Sequence, residues 1–270
     1  MMTDDKKMKA LENLLHEMGS VLVAFSAGVD STFLAVMAAR VLGDKALAVT
    51  ATSPSFPKRE LQEAVELAKR IGIRHRRVES NELANPDYAA NPPDRCYHCK
   101  TELFDLLRKV ANEEGLRFVL DGSNADDLGD YRPGRKAARE KEVRSPLQEC
   151  GFTKEDIREA SRGLELPTAD KPSFACLASR FPYGVEITEE ALHFVEESEN
   201  ALRDMGFRQV RVRVHGDVAR IELLPKDIPR ASEPEISARI VAKLQKVGFH
   251  YVALDLRGYR AGSMNEGRSL

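Results

Sequence analysis

The segment Val21-Leu22-Val23-Ala24-Phe25 is apolar at every position, and Ser26-Ala27-Gly28-Val29-Asp30-Ser31-Thr32 follows it at once. A strand that is apolar throughout, rather than at alternate residues, is buried on both faces. That restricts the chain to a parallel sheet with helices packed on either side. Ala46 to Thr52, Arg74 to Val78 and Arg117 to Leu120 read as further strands, and Phe33 to Val41 is compatible with a helix. Leu61, Ala64, Val65 and Ala68 fall at i, i+3, i+4 and i+7, as do Leu103, Leu106, Leu107 and Val110, which predicts two amphipathic helices against the sheet. The expected class is α/β with a doubly wound parallel sheet.

From about Val185 the pattern changes. Thr188 is an N-cap candidate for a helix ending near Gly206, with Ala191, Phe194, Val195, Leu202 and Met205 inward. Val210, Val212 and Val214 alternate with Arg211 and Arg213, then Ala219, Ile221 and Leu223 with Arg220 and Glu222; the connection His215 to Val218 fits a hairpin. Ile236, Ile240, Leu244 and Val247 mark a helix, and Val252, Leu254 and Leu256 a third strand. Two domains are therefore expected, 1–184 and a smaller α+β domain over 185–270.

Composition narrows the function. With 42% hydrophobic residues among 270, the chain can bury a sizeable core. No apolar run approaches the roughly 20 residues that cross a bilayer, and Met1 to Leu15 lacks the apolar stretch of a leader, so a cytoplasmic protein without a membrane partner is expected. Its 41 basic and 43 acidic residues give a net charge of -2, without the basic excess usual for nucleic-acid binding. Four cysteines are too few for a disulfide scaffold and are expected as thiols or metal ligands.

Small residues after a buried strand let backbone N–H groups approach phosphate, and the following helix start adds a favourable dipole. Ser26, Ser31 and Thr32 add hydroxyl donors. Local physics leaves an ordinary capped turn equally open. The string resembles the SGGxDS signature of the PP-loop ATP pyrophosphatases, which split ATP between the α and β phosphates, and it has no Walker A lysine. Ala27 stands where that family usually has glycine, so a negative φ is expected there.

Further motifs follow in order. They are Asp121-Gly122-Ser123-Asn124-Ala125-Asp126-Asp127, Asp130-Tyr131-Arg132-Pro133-Gly134, Arg144-Ser145-Pro146-Leu147 and Ser179-Arg180-Phe181-Pro182-Tyr183-Gly184. Together with the second domain they resemble the LarE family of ATP-dependent sulfur transferases over about residues 12 to 265. The resemblance implies conversion of the two carboxylates of a pyridinium mononucleotide to thiocarboxylates, for the nickel-pincer cofactor of lactate racemase. ATP with Mg2+ is then expected at Ser26, Gly28, Asp30, Ser31, Thr32 and Asp121. Ser179 and Arg180 are expected to contact substrate or AMP, and a homo-oligomer is implied.

Cys96-Tyr97-His98-Cys99 opens a helix, and CxxC alone leaves zinc, an iron-sulfur cluster and a redox disulfide open. The resemblance implies either a 4Fe-4S cluster on Cys96, Cys99 and Cys176, or sacrifice of the Cys176 sulfur; the cluster is favoured because it gives Cys96 and Cys99 a purpose. Cys150 is expected to be a buried apolar residue. A tight hairpin pairs Arg211 with Glu222 and Arg213 with Arg220. Opposed arginines need an anion between them, so Arg211 and Arg213 are assigned to the substrate phosphate, against a solvated polar face as the alternative. Glu199 and Glu222 correspond to acidic residues near the family's substrate site, able to hold a divalent metal. Two rival functions remain, a PP-loop tRNA thiolase and a non-catalytic nucleotide-binding protein with a structural metal.

Overall fold

A computed structural model describes residues 5–129, 133–172 and 175–260. The motif residues Asp130, Tyr131 and Arg132, and Ser173 and Phe174 before Cys176, lie outside the described residues. The chain divides into two compact units, Met1–Tyr88 with Asp94–Phe174 and Ala89–Pro93 with Ala175–Leu270. The second unit thus begins before Val185. The Cys176 loop belongs to it because Arg180 bonds to Glu199, and Asn91 joins it by donating to Pro182 O at 2.8 Å.

The first unit runs α1 (Asp5–Met18), β1 (Val21–Ala24), α2 (Val29–Leu42), β2 (Ala46–Thr52), α3 (Lys58–Ile71), β3 (Arg74–Glu79), α4 (Pro86–Ala89), α5 (Arg95–Glu113), β4 (Phe118–Leu120), α6 (Gly134–Glu140), α7 (Pro146–Glu149) and α8 (Lys154–Gly163). All strand pairs are parallel, in the order β3-β2-β1-β4. Alternate side chains of β1 enter two different cores. Val21 and Val23 pack with Leu11, Phe33, Leu67 and Ile157 from α1, α2, α3 and α8, whereas Leu22 packs with Phe104, Leu107 and Ala137 from α5 and α6. That double covering is why β1 is apolar throughout; each buried Val, Leu or Phe contributes about 1.5–3 kcal/mol.

The second unit contains α9 (Glu189–Asp204), β5 (Val210–His215), β6 (Val218–Leu223), α10 (Ile228–Ala231), α11 (Pro234–Val247) and β7 (Tyr251–Leu254). Thr188 caps α9 by accepting from Ala191 N at 3.2 Å. In the antiparallel hairpin Arg211 faces Glu222 and Arg213 faces Arg220, while β7 joins β6 in parallel. Val210, Val212, Ala219, Ile221 and Leu223 form a core with Leu202, Ile240 and Leu244. Two expectations fail here. Leu256 lies beyond β7 and is 85% exposed, because the strand ends at Leu254. The buried face of α9 also includes Leu192, Ser198 and Glu199, which the single apolar stripe missed, because a second surface of the helix packs against the 3-10 turn Leu177–Arg180.

Ala27 overturns the expectation of a negative φ. Its φ is +55°, in the left-handed region, with the methyl fully buried in the core. The left-handed backbone costs roughly 1–2 kcal/mol for an L-residue, while burying a methyl returns about 0.8 kcal/mol. Those magnitudes explain how alanine persists at a left-handed position. Ala27→Gly is expected to change unfolding stability by less than about 1 kcal/mol, because relief of strain offsets the lost methyl and added chain entropy. Ala27→Val should cost more than about 2 kcal/mol, since a branched side chain fits that backbone poorly. Denaturant unfolding checks both, and a stable valine variant would contradict the strain.

Candidate functional site

In the first unit, the strand order reverses at β1, where β2 lies on one side and the later β4 on the other. Doubly wound sheets hold ligands outside the carboxyl ends of strands at such a reversal. The expected loop occupies this place. Gly28 is the N-cap of α2, with no side chain capping it, and the first helical bond runs from Thr32 N to Gly28 O at 3.0 Å. The first amides of α2 therefore keep their donor capacity for an anion, and the helix dipole adds to it.

Ser26 is exposed; its Oγ lies 3.1 Å from Ser31 Oγ, which also donates to Gly28 O at 3.3 Å. Thr32 departs from the expected row of donors. It is fully buried, and its Oγ1 has no hydrogen-bond partner. Asp30 accepts from Asn124 Nδ2 at 3.3 Å and is ion-paired with Lys154. Lys171 Nζ donates to Ala27 O at 3.2 Å and pairs with Glu60 at 2.8 Å. Sequence reading missed both lysines because they come from distant segments; Lys154, in the first turn of α8, puts a cation beside a loop that has none of its own.

Asp121 follows β4. Its carboxylate accepts from Ser123 N, Ser123 Oγ and, at 2.7 Å, Ser145 Oγ, which ties two of the sequence motifs together. Gly122 runs so close to the loop that a Cβ there would lie 3.1 Å from Ser31 N. Cys96 lies in the first turn of α5 and is exposed, and Cys99 opens the second turn and is half-buried. Cys150 is half-buried against the core, and burial, then the nearby Glu149 charge, pushes its thiol pKa up. Among the described residues no three His, Cys, Asp or Glu side chains are gathered as metal ligands.

In the second unit, Cys176 immediately precedes the 3-10 turn Leu177–Arg180. Its carbonyl oxygen accepts from Ser179 N at 3.0 Å, Ser179 Oγ at 2.8 Å and Arg180 Nη1 at 2.9 Å. Arg180 is fully buried and forms a two-pronged pair with Glu199, Nε to Oε1 at 2.8 Å and Nη2 to Oε2 at 3.0 Å. It therefore holds the Cys176 loop in place through the Ala175 and Cys176 carbonyls.

Glu199 also accepts from Arg203 Nη2 at 2.8 Å and Val212 N at 3.1 Å, so four donors converge on one carboxylate. Burial alone would raise its pKa, but the Arg180 charge and hydrogen bonds outweigh burial and hold the pKa below the ordinary 4.5. The arginine face is not solvated, which removes that alternative. Arg211 and Arg213 are 6% and 5% exposed, and Glu222 is fully buried. The anion between opposed arginines is Glu222 itself, 2.8 Å from Arg213 and 3.3 Å from Arg220. Arg213 Nη1 also donates to Ser179 O at 2.7 Å. Arg211 lies over the Tyr259 ring at 5.3 Å, and burial, then the Arg180 charge, pushes its pKa down to about 10. Arg180, Arg203, Arg211, Arg213 and Arg220 thus gather with Glu199, Glu222 and Asp255 in one charged cluster.

Glu199→Gln is expected to destabilise the protein by about 3–5 kcal/mol, as breaking a buried pair does. A carboxylate with a depressed pKa contributes stability above its unfolded value and loses it as pH falls through the folded one. The wild type should therefore lose stability below about pH 4.5, and the glutamine variant should lose less over that range. Thermal midpoints from pH 7 to 3 test this; parallel curves would contradict it.

The asparagine synthase family matches residues 8–181. Uncharacterized protein slr1717 of Synechocystis is 48% identical, over 97% of each chain. Pyridinium-3,5-bisthiocarboxylic acid mononucleotide synthase of Lactiplantibacillus plantarum is 39% identical, over 96% of this chain and 94% of its own. Uncharacterized protein MJ0830 of Methanocaldococcus jannaschii is 30% identical, over 95% of this chain and 98% of its own. With its phosphate-type loop at the reversal of a parallel sheet and a relative at 39% identity spanning both units, the chain belongs to the LarE family of ATP-dependent sulfurtransferases within the PP-loop ATP pyrophosphatases.

Proposed function

We propose that this sulfurtransferase acts on pyridinium-3,5-biscarboxylic acid mononucleotide and converts both carboxylates to thiocarboxylates, for the nickel-pincer nucleotide cofactor of lactate racemase. The supporting observation is the 39% identity to the Lactiplantibacillus synthase over 96% of this chain, a match that spans both units. ATP with Mg2+ is received at Ser26, Gly28, Asp30 and Ser31, with the first amides of α2 taking phosphate oxygens; Thr32 packs beneath, and Asp121 holds the neighbouring loop. A substrate carboxylate oxygen attacks the α-phosphorus, the bond to the β-phosphate oxygen breaks, and pyrophosphate leaves. Attack by sulfur on the resulting acyl-adenylate expels AMP. A second round treats the other carboxylate.

Arg211 and Arg213 take the substrate phosphate, with Glu222 paired to Arg213 and Val210 O accepting from Arg211. Ser179 and Arg180 orient the Cys176 loop through its carbonyl. Cys96 and Cys99, one helical turn apart at the start of α5, suit two ligands of a 4Fe-4S cluster with Cys176 as the third. When bound, that cluster supplies sulfide from solution and spares Cys176; without it the Cys176 sulfur is itself donated, leaving dehydroalanine. We further propose that the enzyme works in the cytoplasm as a homo-oligomer, without nucleic acid.

Pyrophosphate release should require the pyridinium substrate; release without it, or stimulated by tRNA, would overturn the assignment. Anaerobically purified protein should carry about four iron and four acid-labile sulfide per chain. Iron-free protein losing mass at Cys176 on turnover would establish sacrifice instead. Arg213→Lys keeps the charge but loses the planar fork, and should raise the substrate KM about tenfold with the ATP KM unchanged.

A further inference from the structure

Ala27 keeps its left-handed φ of +55° at a cost that its buried methyl offsets only in part. The remaining support comes from outside the loop. Lys171, whose side chain is 14% exposed, donates from Nζ to Ala27 O at 3.2 Å and to Glu60 Oε2 at 2.8 Å, and pairs with Glu63 Oε1 at 2.9 Å. Glu60 and Glu63 lie in the first two turns of α3, so the ammonium that grips the loop carbonyl is itself anchored to a helix. Two carboxylates against one ammonium leave this trio with a net charge of −1, which repels a phosphate rather than binding it.

The grip on a carbonyl also fixes the amide behind it. In a planar trans peptide the C=O and the following N–H point in opposite directions. With Ala27 O turned to Lys171, Gly28 N points away from the ammonium and its carboxylates, and among the described residues nothing accepts from it. Gly28 is the N-cap of α2, so this amide stands beside the unspent amides of the helix start. Returning Ala27 to a negative φ would swing the peptide plane, taking the carbonyl off the ammonium and the amide off its heading.

We propose that Lys171 is a positioning residue for the nucleotide phosphates: by bonding the Ala27 carbonyl it holds the left-handed backbone that presents Gly28 N to a phosphate oxygen. Lys171 touches the loop and not the nucleotide. The inference rests on reading the β1 loop as the nucleotide site.

A double-mutant cycle, read by calorimetric titration of the full chain with ATP and Mg2+, tests it. Lys171→Met should weaken ATP about tenfold, because the loop then occupies its binding conformation about a tenth as often. Glycine adopts a left-handed backbone without strain, so in an Ala27→Gly background the same Lys171→Met change should cost at most about threefold. A lysine that only braced α3, or one that bound phosphate directly, would cost the same in both backgrounds. Equal losses, or no loss in either, would overturn the proposal and leave the nucleotide site standing. If the thermal midpoint shows that Lys171→Met does not fold, Glu60→Gln replaces it in the cycle, keeping the ammonium but loosening its anchor. About a threefold loss is then expected with Ala27 in place and less than about 1.5-fold in the Ala27→Gly background, and equal losses would again overturn the proposal. Failure of the wild type to bind ATP would overturn the nucleotide reading of the loop, and this proposal with it.

Discussion

Because β1 is covered on both faces, Val21, Leu22 and Val23 are all spent on packing, and the strand has only its ends for chemistry. The carboxyl end is the useful one. There the strand order reverses, α2 starts with unspent amides, and β4 delivers Asp121 and Gly122 against the same loop. Gly122 approaches Ser31 N so tightly that an added Cβ would crowd it, which packs the end of β4 directly on the loop.

The second unit solves a different problem, that of holding several cations in a dry interior. Burial of Arg211 and Arg213 would be unfavourable alone, and Glu199 and Glu222 make it possible. The same carboxylates hold Arg180 and Arg213 in register. A guanidinium pinned by a neighbouring carboxylate is aimed before any ligand arrives, which lowers the ordering cost of binding.

Much of this was legible in the sequence wherever the signal is local. The apolar run of β1 implied a doubly covered strand, and the alternation of Val210 to Leu223 fixed the hairpin register residue by residue. Thr188 announced its helix. What escaped depended on distant partners. Glu199 and Glu222 look like surface carboxylates until Arg180 and Arg213 are placed beside them, and Lys154 gains meaning only next to Asp30. Ala27 misled because the conformational rule was sound but its cost is small, and one buried methyl offsets part of it. Leu256 misled because alternation continues past the last residue that has a strand to pair with.

The four donors on Glu199 also bear on self-association. Any sheet exposes at its rim unpaired amides that invite another chain to add a strand. On β5 one such amide, Val212 N, is consumed by Glu199. On β3 the rim of the other sheet carries Arg74, Arg76 and Arg77, with Arg74 and Arg76 tied to Glu114 and Glu113. A chain whose net charge is close to zero has little long-range repulsion to keep copies apart. The obstacle to strand addition at these two rims is therefore a few charged side chains, buried in one case and on the surface in the other.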